Sequence, residues 1–383
     1  MAKNFPQLGI LGGGQLGKML CQAAADWHLP IHLLDRNTGF PAAPYATTFT
    51  EGNFRNYEDV LAFGRRMDVV TIEIEHINTE ALRQLEREGI KVYPQPDKVE
   101  LIKDKGRQKQ FYAAGGIATA PFELFEDAGA VRRAVAEGRW TYPFVQKART
   151  GGYDGQGVAV IRTEDDLRDR LLPVPCLLEE LADIEQELAV IVCRSPSGAV
   201  SVFPTVTMEF HPTANLVEFL ICPAPLDHNT DRAAAALALR VAEEMDIVGL
   251  LAVELFLNKD GSLWVNEVAP RPHNSGHHTI EACATSQYQQ HLRAILDLPL
   301  GSTDLLRPAA MINLLGAEGF TGPTYYDGWT DLLAIPEVYP HLYGKEETRP
   351  FRKMGHLTAL GDTVDQARER AARAREAVRI ISN

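Results

Sequence analysis

Residues 249–278, GLLAVELFLNKDGSLWVNEVAPRPHNSGHH, contain two apolar stretches separated by a short polar one. Asp260-Gly261 is a strong signal for a two-residue hairpin turn between alternating apolar residues. A turn at these two residues sets the register, in which the facing pairs are Lys259–Ser262, Leu257–Trp264 and Glu254–Glu267. The segment therefore predicts an antiparallel hairpin with two glutamates side by side on one face.

The paired glutamates indicate a metal site. Like charges directly opposite one another destabilise a hairpin, and the apolar surroundings argue against simple solvation. Mg²⁺ is held by one or two carboxylates together with substrate phosphates, so we expect it between Glu254 and Glu267. Asn266 could add a carbonyl ligand on a locally twisted strand. The alternative is a register slip that leaves one glutamate exposed.

The segment after the hairpin favours an anion site over zinc. Pro270 and Pro272 prevent a helix before His273, and the motif H-E-x-x-H is absent from the sequence, so a zinc site is disfavoured. We expect a loop that carries Arg271, His273 and Asn274 and leads into a helix. That helix is predicted to be capped by Ser275 and to extend through residues 285–298, and its N-terminal amides suit an anion.

A second glycine-rich segment, KARTGGYDGQGVAV, spans residues 147–160. Two apolar runs flank it and it lacks the G-K-S/T ending of a Walker loop, so it is predicted to be a flexible hairpin. Successive glycine amides can form a nest for a phosphate chain, and Lys147 on the strand before them can reach the same phosphates. The alternative is an ordinary surface loop.

A third glycine-rich segment lies in residues 7–35, which read as strand, glycine loop, helix and strand. Gly12, Gly14 and Gly17 fit G-x-G-x-x-G, and Asp35 ends the second strand. This pattern is a Rossmann fingerprint, and it leaves an NAD-linked dehydrogenase open as a function. The alternative is that the glycines only make the strand-to-helix turn of a doubly wound sheet.

The strand–helix alternation continues to residue 116. We predict a strand over residues 67–77, a capped amphipathic helix over 78–89, a strand over 90–94 and one helix over 96–116. The last helix carries four cations, which are Lys103, Lys105, Arg107 and Lys109.

Length and charge limit the classes of function. The 383 residues allow two or three domains, and the net charge of −13 argues against a nucleic-acid-binding surface. The N-terminus predicts no secretory signal, and the longest apolar run is too short to span a bilayer. The five scattered cysteines are expected to be buried thiols in a reducing cytosol. Residues 345–356 form a local basic cluster that suits an anionic ligand.

Eight motifs spread along the whole chain carry a resemblance to known enzymes. They are LGGGQLGKML, TIEIEHI, DKGRQKQF, TGGYDGQGV, NEVAPRPHNSGHHT, QYQQHLRAILDLPL, MINLLG and RKMGH. In these motifs the chain resembles the ATP-grasp ligases and, more closely, the N5-carboxyaminoimidazole ribonucleotide synthetase family. NEVAPRPHNSGH is highly specific, whereas the N-terminal G-x-G-x-x-G alone is weak.

The resemblance implies a mixed α/β and α+β fold of the ATP-grasp type. It implies a Rossmann-like pre-grasp domain over residues 1–105, which does not use NAD. A linker and small lid domain follow over residues 106–185. A larger domain over 186–383 then carries the metal hairpin and a C-terminal segment for the substrate phosphate.

The resemblance also implies an activity. ATP and bicarbonate form carboxyphosphate, which carboxylates 5-aminoimidazole ribonucleotide to N5-carboxyaminoimidazole ribonucleotide, ADP and phosphate in purine biosynthesis. It implies Mg²⁺ as cofactor, with Mn²⁺ able to substitute, a cytoplasmic homodimer, and no nucleic-acid or membrane partner. A sister ligase, formate-dependent glycinamide ribonucleotide transformylase, and a regulatory subunit without turnover are the alternatives.

The implied site residues fall into four groups. The ATP-binding positions are Lys105, Arg107, Lys147, Gly152, Tyr153, Asp154, Gly155, Gln156, Gly157, Val158, Glu179, Glu180, Leu181, Ala182, Glu187, His211, Asn266 and Glu267. The catalytic positions are Lys147, Tyr153, Asp154, Arg271, His273, Asn274 and Lys353. The positions for the ribonucleotide are Gln15, Glu73, Tyr153, Lys345 and Arg352, and those for the metal are Glu254 and Glu267.

Two positions depart from the family pattern. Gln156 stands where relatives often carry Lys or Arg, which weakens any role for this residue in supplying charge to the transferring phosphate. Phe351 stands where relatives often have glycine, which affects the geometry expected around Arg352.

Overall fold

The computed structural model describes residues 5–152, 157–210 and 217–382. The first part of the chain forms a five-stranded parallel sheet of the predicted Rossmann-like kind. Its strands are β1 (Leu8–Leu11), β2 (Ile31–Asp35), β3 (Thr48–Glu51), β4 (Val69–Ile72) and β5 (Lys91–Val92), in the order β3-β2-β1-β4-β5. Its helices are α1 (Gln15–Ala25), α2 (Tyr57–Gly64) and α3 (Thr79–Arg87). The strand predicted over residues 67–77 is shorter than expected, since β4 ends at Ile72.

The helix predicted over residues 96–116 is two helices, α4 (Pro96–Ile102) and α5 (Lys105–Ala114). The prediction of one helix was wrong because Asp104 starts a new one. The backbone of Asp104 is extended, and its carboxylate accepts from the amides of Gly106 and Arg107 as an N-cap.

The second part of the chain is a four-stranded antiparallel sheet. Its strands are β6 (Phe122–Phe125), β7 (Phe144–Ala148), β8 (Val158–Ile161) and β9 (Cys176–Glu180), in the order β6-β9-β7-β8. Helices α6 (Ala128–Ala136) and α7 (Glu164–Asp169) pack on one face of this sheet around Phe144 and Ile161. The glycine-rich segment 147–160 joins β7 to β8, as predicted for a hairpin.

The third part is built on a nine-stranded antiparallel sheet and a small three-stranded one. The strands are β10 (Ile184–Arg194), β11 (Val200–Val202), β12 (Val206–Phe210), β13 (Val217–Cys222), β14 (Gly249–Asn258), β15 (Leu263–Ala269), β16 (Ala309–Leu315), β17 (Gly322–Asp327), β18 (Val338–Leu342), β19 (Glu347–Thr348), β20 (Lys353–Leu360) and β21 (Arg379–Ser382). The order is β15-β14-β10-β12-β13-β16-β20-β18 with β11 beside β10, and the small sheet is β19-β17-β21. The helices are α8 (His228–Glu244), α9 (Thr279–Ala282), α10 (Gln287–Ile295), α11 (Trp329–Leu333) and α12 (Val364–Ala377).

The long helix predicted after Ser275 was wrong. His273, not Ser275, caps a short 3₁₀ turn, the helix α9 ends at Ala282, and Ser286 caps α10 separately. Cys283 interrupts the helix because its backbone is extended and it forms an isolated bridge with Leu305.

Apolar packing joins the first sheet to the third. Met19 and Leu20 on α1 share one buried cluster with Tyr288 and Leu292 on α10. Burial of this kind contributes about 1.5–3 kcal/mol for each large side chain, so the two layers are held firmly together. The carboxyl end of the parallel sheet is thereby placed beside the end of the β14–β15 hairpin.

Within the described ranges, none of the helices is both long and apolar enough to cross a membrane. The five cysteines are buried and free, which confirms that part of the sequence prediction.

Candidate active site

The β14–β15 hairpin brings Glu254 opposite Glu267, as predicted. The predicted turn was wrong, however, because Asn258 pairs with Ser262 around three residues and Gly261 adopts a φ of 83°. Leu257 therefore faces Leu263, and Phe256, not Leu257, faces Trp264. A bulge between Glu254 and Leu255 then shifts the register by one residue and restores the glutamate pair.

The carboxylates of Glu187, Glu254 and Glu267, which we call the carboxylate cluster, lie on neighbouring strands β10, β14 and β15. Burial raises the pKa of Glu187 to about 7, and the neighbouring Glu254 adds to this effect. Burial also raises the pKa of Glu254, although Lys105 and Asn266 oppose it. Lys105 forms an ion pair with Glu267, and its own pKa is lowered to about 8 by burial and by Lys147.

This cluster suits a hard cation. Mg²⁺ prefers carboxylate oxygens, and the Lys105 ammonium already stands against Glu267 as a compensating charge. Among the described residues there is no group of three or more His, Cys, Asp or Glu side chains arranged to hold a metal. A metal at Glu254 and Glu267 would therefore need further oxygens from a phosphate ligand or water.

Glu179, Lys109 and Lys147, which we call the lysine cluster, lie next to the carboxylate cluster. The Glu179 oxygens are 2.9 Å from Lys109 Nζ and 2.8 Å from Lys147 Nζ, and the side chain is 3% exposed. Burial alone raises the pKa of Glu179, but the two lysines outweigh it and hold that pKa below its ordinary value. Lys147 also donates to Asn266 Oδ1 at 2.8 Å, which connects the two clusters.

The start of α5 is tied to the base of the lid hairpin. Arg149 donates to both oxygens of Asp104 at 3.1 and 2.6 Å, and the Lys105 amide donates to the Arg149 carbonyl at 2.8 Å. These contacts hold the strand that carries Lys147 against the helix start that carries Lys105. Arg107, by contrast, is exposed, so the four predicted cations do not form one surface.

The segment expected to read adenine begins in the last two residues of β9 and continues past its end. The backbone of Glu180 donates to Pro121 at 3.0 Å, and Leu181 is 36% exposed where the strand ends, with Ala182 next to it. At the described ends of the lid, Ala148 donates to the Gly157 carbonyl at 2.8 Å, Gly152 lies beside Gly157, and Val158 is 38% exposed. The predicted residues Tyr153, Asp154, Gly155, Gln156 and His211 lie outside the described residues.

The loop after β15 brings three predicted residues to the same end of the hairpin. Arg271 Nε lies 2.9 Å from Glu75 Oε1, which belongs to the segment after β4. His273 Nε2 lies 3.6 Å from Glu254 Oε1. Asn274 and Asn313 exchange reciprocal amide bonds of 2.8 and 3.1 Å. The loop thus joins the first sheet, the carboxylate cluster and β16.

The N-terminal glycine loop is filled by the protein's own carboxylate. The amides of Gly14 and Gly17 donate to the two oxygens of Glu73, each at 2.5 Å. These bonds lower the pKa of Glu73, but burial outweighs them and raises it to about 6. Glu73 stands where a dinucleotide would place its pyrophosphate, which argues against the NAD-linked reading. Gln15, which is also predicted to bind the ribonucleotide, directly follows Gly14 as the first residue of α1.

The basic cluster near the C-terminus places Lys353 toward the carboxylate cluster. Lys353 lowers the pKa of Glu254, although less than Lys105 does. Lys345 donates to the Lys353 carbonyl at 2.7 Å, and Arg352 donates to the Glu347 carbonyl at 2.5 Å. Phe351 has a φ of 61°, a left-handed conformation that favours glycine, which gives a physical meaning to its departure from the family pattern.

Sequence reasoning missed several residues that hold the predicted ones in place. They are Glu75, Asp104, Arg149, Gln287 and Asn313, whereas Lys109 was predicted only as one of four cations on a helix. Lys109 and Asp104 lie within the quoted motif DKGRQKQF, and their charge was the available signal. The partners of Gln287 and Asn313 are distant in sequence, so no local pattern could indicate them.

Three family models match successive parts of the chain. The ribonucleotide synthetase preATP-grasp domain matches residues 5–103, the ATP-grasp domain matches residues 110–288, and the phosphoribosylaminoimidazole carboxylase C-terminal domain matches residues 309–370. These matches define an ATP-grasp ligase.

Individual relatives match over nearly the full length. N5-carboxyaminoimidazole ribonucleotide synthase of Bacillus subtilis is 37% identical over 94% of this chain and 92% of its own. The crystal structure of the Thermotoga maritima synthetase has a TM-score of 0.90 and 40% identity, covering 99% of this chain and 100% of that one. The Aspergillus clavatus synthase in complex with ADP and 5-aminoimidazole ribonucleotide has a TM-score of 0.89 and 31% identity, covering 98% of both chains. The chain therefore belongs to the N5-carboxyaminoimidazole ribonucleotide synthase family, as the sequence motifs predicted.

Proposed function

We propose that this protein uses ATP and bicarbonate to carboxylate 5-aminoimidazole ribonucleotide in purine biosynthesis. The products are N5-carboxyaminoimidazole ribonucleotide, ADP and phosphate. The observation that carries the proposal is the juxtaposition of the lysine cluster and the carboxylate cluster in a chain of this family. The alternative, a formate-dependent transformylase, has no comparable support.

The two clusters have the charges that phosphoryl transfer requires. That reaction depends on positioning and on neutralising charge more than on covalent chemistry. We place the ATP phosphates beside Lys105 and Lys147, with the ribose at Glu187 and the adenine at Glu179–Ala182. Glu254 and Glu267 would hold Mg²⁺, or Mn²⁺ in its place, and the metal supplies additional neutralising charge when it is bound.

Carboxyphosphate reacts with water, so the site must hold it dry. We propose that the lid hairpin over residues 147–160 covers the phosphates and excludes water. Arg271, His273, Asn274 and Lys353 surround the reacting carboxyl group, where they bind and orient it. We assign Gln15 and Glu73 to the ribonucleotide, with Lys345 and Arg352 at its 5′-phosphate.

The proposed domain division is residues 1–105, 106–185 and 186–383. The first two main sheets fall within the first two ranges, whereas β10 of the third sheet begins at Ile184, two residues before the last boundary. We propose that the protein is a cytoplasmic homodimer, by analogy with the family. Bicarbonate, ATP and the ribonucleotide are its expected ligands.

ADP release with purified substrates tests the proposed function. We expect release that requires both 5-aminoimidazole ribonucleotide and bicarbonate, with the carboxylated ribonucleotide formed in equal amount. Glycinamide ribonucleotide with formate serves as the matched alternative. ADP release that depends on the second pair and not on the first would contradict the proposal.

A further inference from the structure

A buried glutamine holds the peptide group of His273. Gln287 is the first residue of α10 and has no exposed surface. The His273 amide donates to Gln287 Oε1 at 2.9 Å, and Gln287 Nε2 donates to the His273 carbonyl at 2.8 Å. The same nitrogen lies 3.2 Å from His277 Nδ1, which is also 2.9 Å from the Tyr288 hydroxyl.

This contact replaces the strand pairing that ends just before it. β15 stops at Ala269, and Pro270 and Pro272 have no amide hydrogen for a ladder. The glutamine amide offers one donor and one acceptor to His273, as a neighbouring strand would. A second bond to the His273 carbonyl comes from the Gly276 amide at 3.0 Å.

With the backbone fixed, the His273 ring has a defined orientation. Ser275 holds the other ring nitrogen, since its hydroxyl lies 2.9 Å and its amide 3.3 Å from His273 Nδ1, so Nε2 is the nitrogen that faces Glu254. That nitrogen lies 3.6 Å from Glu254 Oε1 in the carboxylate cluster. A shift of the His273 backbone would therefore move Nε2 away from the carboxylate cluster.

We propose that Gln287 is a positioning residue for the reaction and acts through His273. The proposal rests on the proposed function, which places His273 at the reacting carboxyl group. Gln287 itself contributes no contact to the substrates. Its loss should lower kcat while leaving the KM for ATP unchanged, because the residues assigned to adenine and ribose lie on other strands.

The chain supplies a matched control one turn further along α10. Gln290 also has no exposed surface. It brackets Gly301 in the same way, accepting from the Gly301 amide at 2.9 Å and donating to its carbonyl at 2.8 Å, with a third bond to Ser201 at 2.7 Å. Gly301 has no assigned role in the site, so Gln290 reports the structural cost alone.

The experiment compares Gln287→Met with Gln290→Met. We expect similar losses of melting temperature, because each variant loses both bonds to a bracketed peptide group and one further side-chain contact. Only Gln287→Met should lower kcat for ADP release, by about 10- to 100-fold, since a displacement near 1 Å can cost this much. In a His273→Ala background the further effect of Gln287→Met on kcat should disappear.

A conservative variant and a spectroscopic measurement complete the test. Gln287→Glu keeps one donor and one acceptor when it is neutral, as burial favours, and should recover much of the lost kcat. Independently of turnover, ¹⁵N NMR should show that the ring-nitrogen chemical shifts of His273 are unchanged in Gln290→Met and altered in Gln287→Met.

Three results separate the possible failures. Equal kcat losses in the two methionine variants, or an undiminished effect in the His273→Ala background, would overturn the positioning role. Unchanged ring-nitrogen chemical shifts of His273 in Gln287→Met would overturn it as well. A wild type that releases ADP only with another substrate pair would refute the proposed function instead, and the same comparison of variants then applies to that reaction.

Discussion

The lysine cluster and the carboxylate cluster lie side by side but have opposite imbalances of charge. In the lysine cluster two ammonium groups surround the single carboxylate of Glu179, and its pKa is held low. In the carboxylate cluster burial raises the pKa of Glu187 and Glu254, and Lys105 compensates only in part. Burial acts in the same direction on all three of these glutamates. The difference in their pKa values therefore comes from the number of nearby cations.

The charge of Glu179 is already neutralised by two lysines, whereas Glu187 and Glu254 still need a positive charge. The excess of lysine suits anionic phosphates, and the excess of glutamate suits a hard cation. A metal–nucleotide complex has both kinds of group. Each cluster can be disturbed separately, and the effects should differ in kind.

Removal of a carboxylate proposed to bind the metal should have the largest effect. Glu267→Gln leaves the hairpin register intact but lowers the negative charge of the carboxylate cluster. We expect kcat for ADP release to fall by at least about 10³-fold, as other losses of charge at phosphoryl-transfer sites do. The measurement is steady-state ADP release at saturating Mg²⁺, with Glu185→Gln on the exposed side of β10 as control. Near-normal kcat in Glu267→Gln would refute the metal assignment.

Removal of Glu179 should instead reduce stability. Glu179→Gln leaves two buried lysines without their shared counter-charge, which should cost about 3 kcal/mol in the free energy of unfolding. Urea denaturation without nucleotide measures this cost. The adjacent Glu180 is exposed, and Glu180→Gln should change stability by less than about 0.5 kcal/mol. Equal effects of the two substitutions would mean that Glu179 is not needed to balance the lysines.

Substitution of Glu187 should raise the free energy of unfolding instead of lowering it, and the change should depend on pH. Its pKa is about 7 in the folded protein against an ordinary value of 4.5, so the folded state binds its proton more tightly. The stability from this proton is complete below pH 4.5 and is lost as the pH rises through 7. Glu187→Gln should thus stabilise the nucleotide-free protein by about 1–3 kcal/mol at pH 8 and have little effect near pH 4.5. Melting curves across this range that show a constant difference would contradict the account.

The smallest effect is expected at Phe351, which lies outside both clusters and so serves as a reference for the stability changes within them. Phe351 has a positive φ, which costs a residue with a side chain about 1 kcal/mol relative to glycine. Phe351→Gly should therefore raise the free energy of unfolding by about this amount. Phe351→Ala removes the same aromatic ring but keeps the strained backbone, so it should not gain stability. Equal stability of the two variants would show that backbone strain is not the cause.

The pattern of the β14–β15 hairpin was sufficient to predict its paired glutamates, although two details were wrong. The turn has one residue more than Asp260-Gly261 indicates, and a bulge beside Glu254 offsets it. A bulge depends on sheet twist and on neighbouring strands, so local sequence does not reveal it. The same limit explains why Asp104 was read as part of a continuous helix, since its cap is stabilised by Arg149 from another sheet.

The N-terminal glycine loop shows a second limit. G-x-G-x-x-G correctly predicted a strand, a tight turn and a helix, but it could not show which anion the helix receives. Glu73, which fills this place, follows a strand more than fifty residues later. The family resemblance predicted that this domain does not use NAD. The physical reason, which is the Glu73 carboxylate bound by the loop amides, is visible only in the structure.

The dependence of ATP affinity on Mg²⁺ tests most directly whether the carboxylate cluster needs a cation. Calorimetry would compare the Kd of ATP with and without Mg²⁺ in the wild type and in Glu267→Gln. For the wild type we expect Mg²⁺ to lower Kd by at least about tenfold, or 1.4 kcal/mol, and for Glu267→Gln we expect most of that gain to be lost. An equal gain from Mg²⁺ in both proteins would contradict the account.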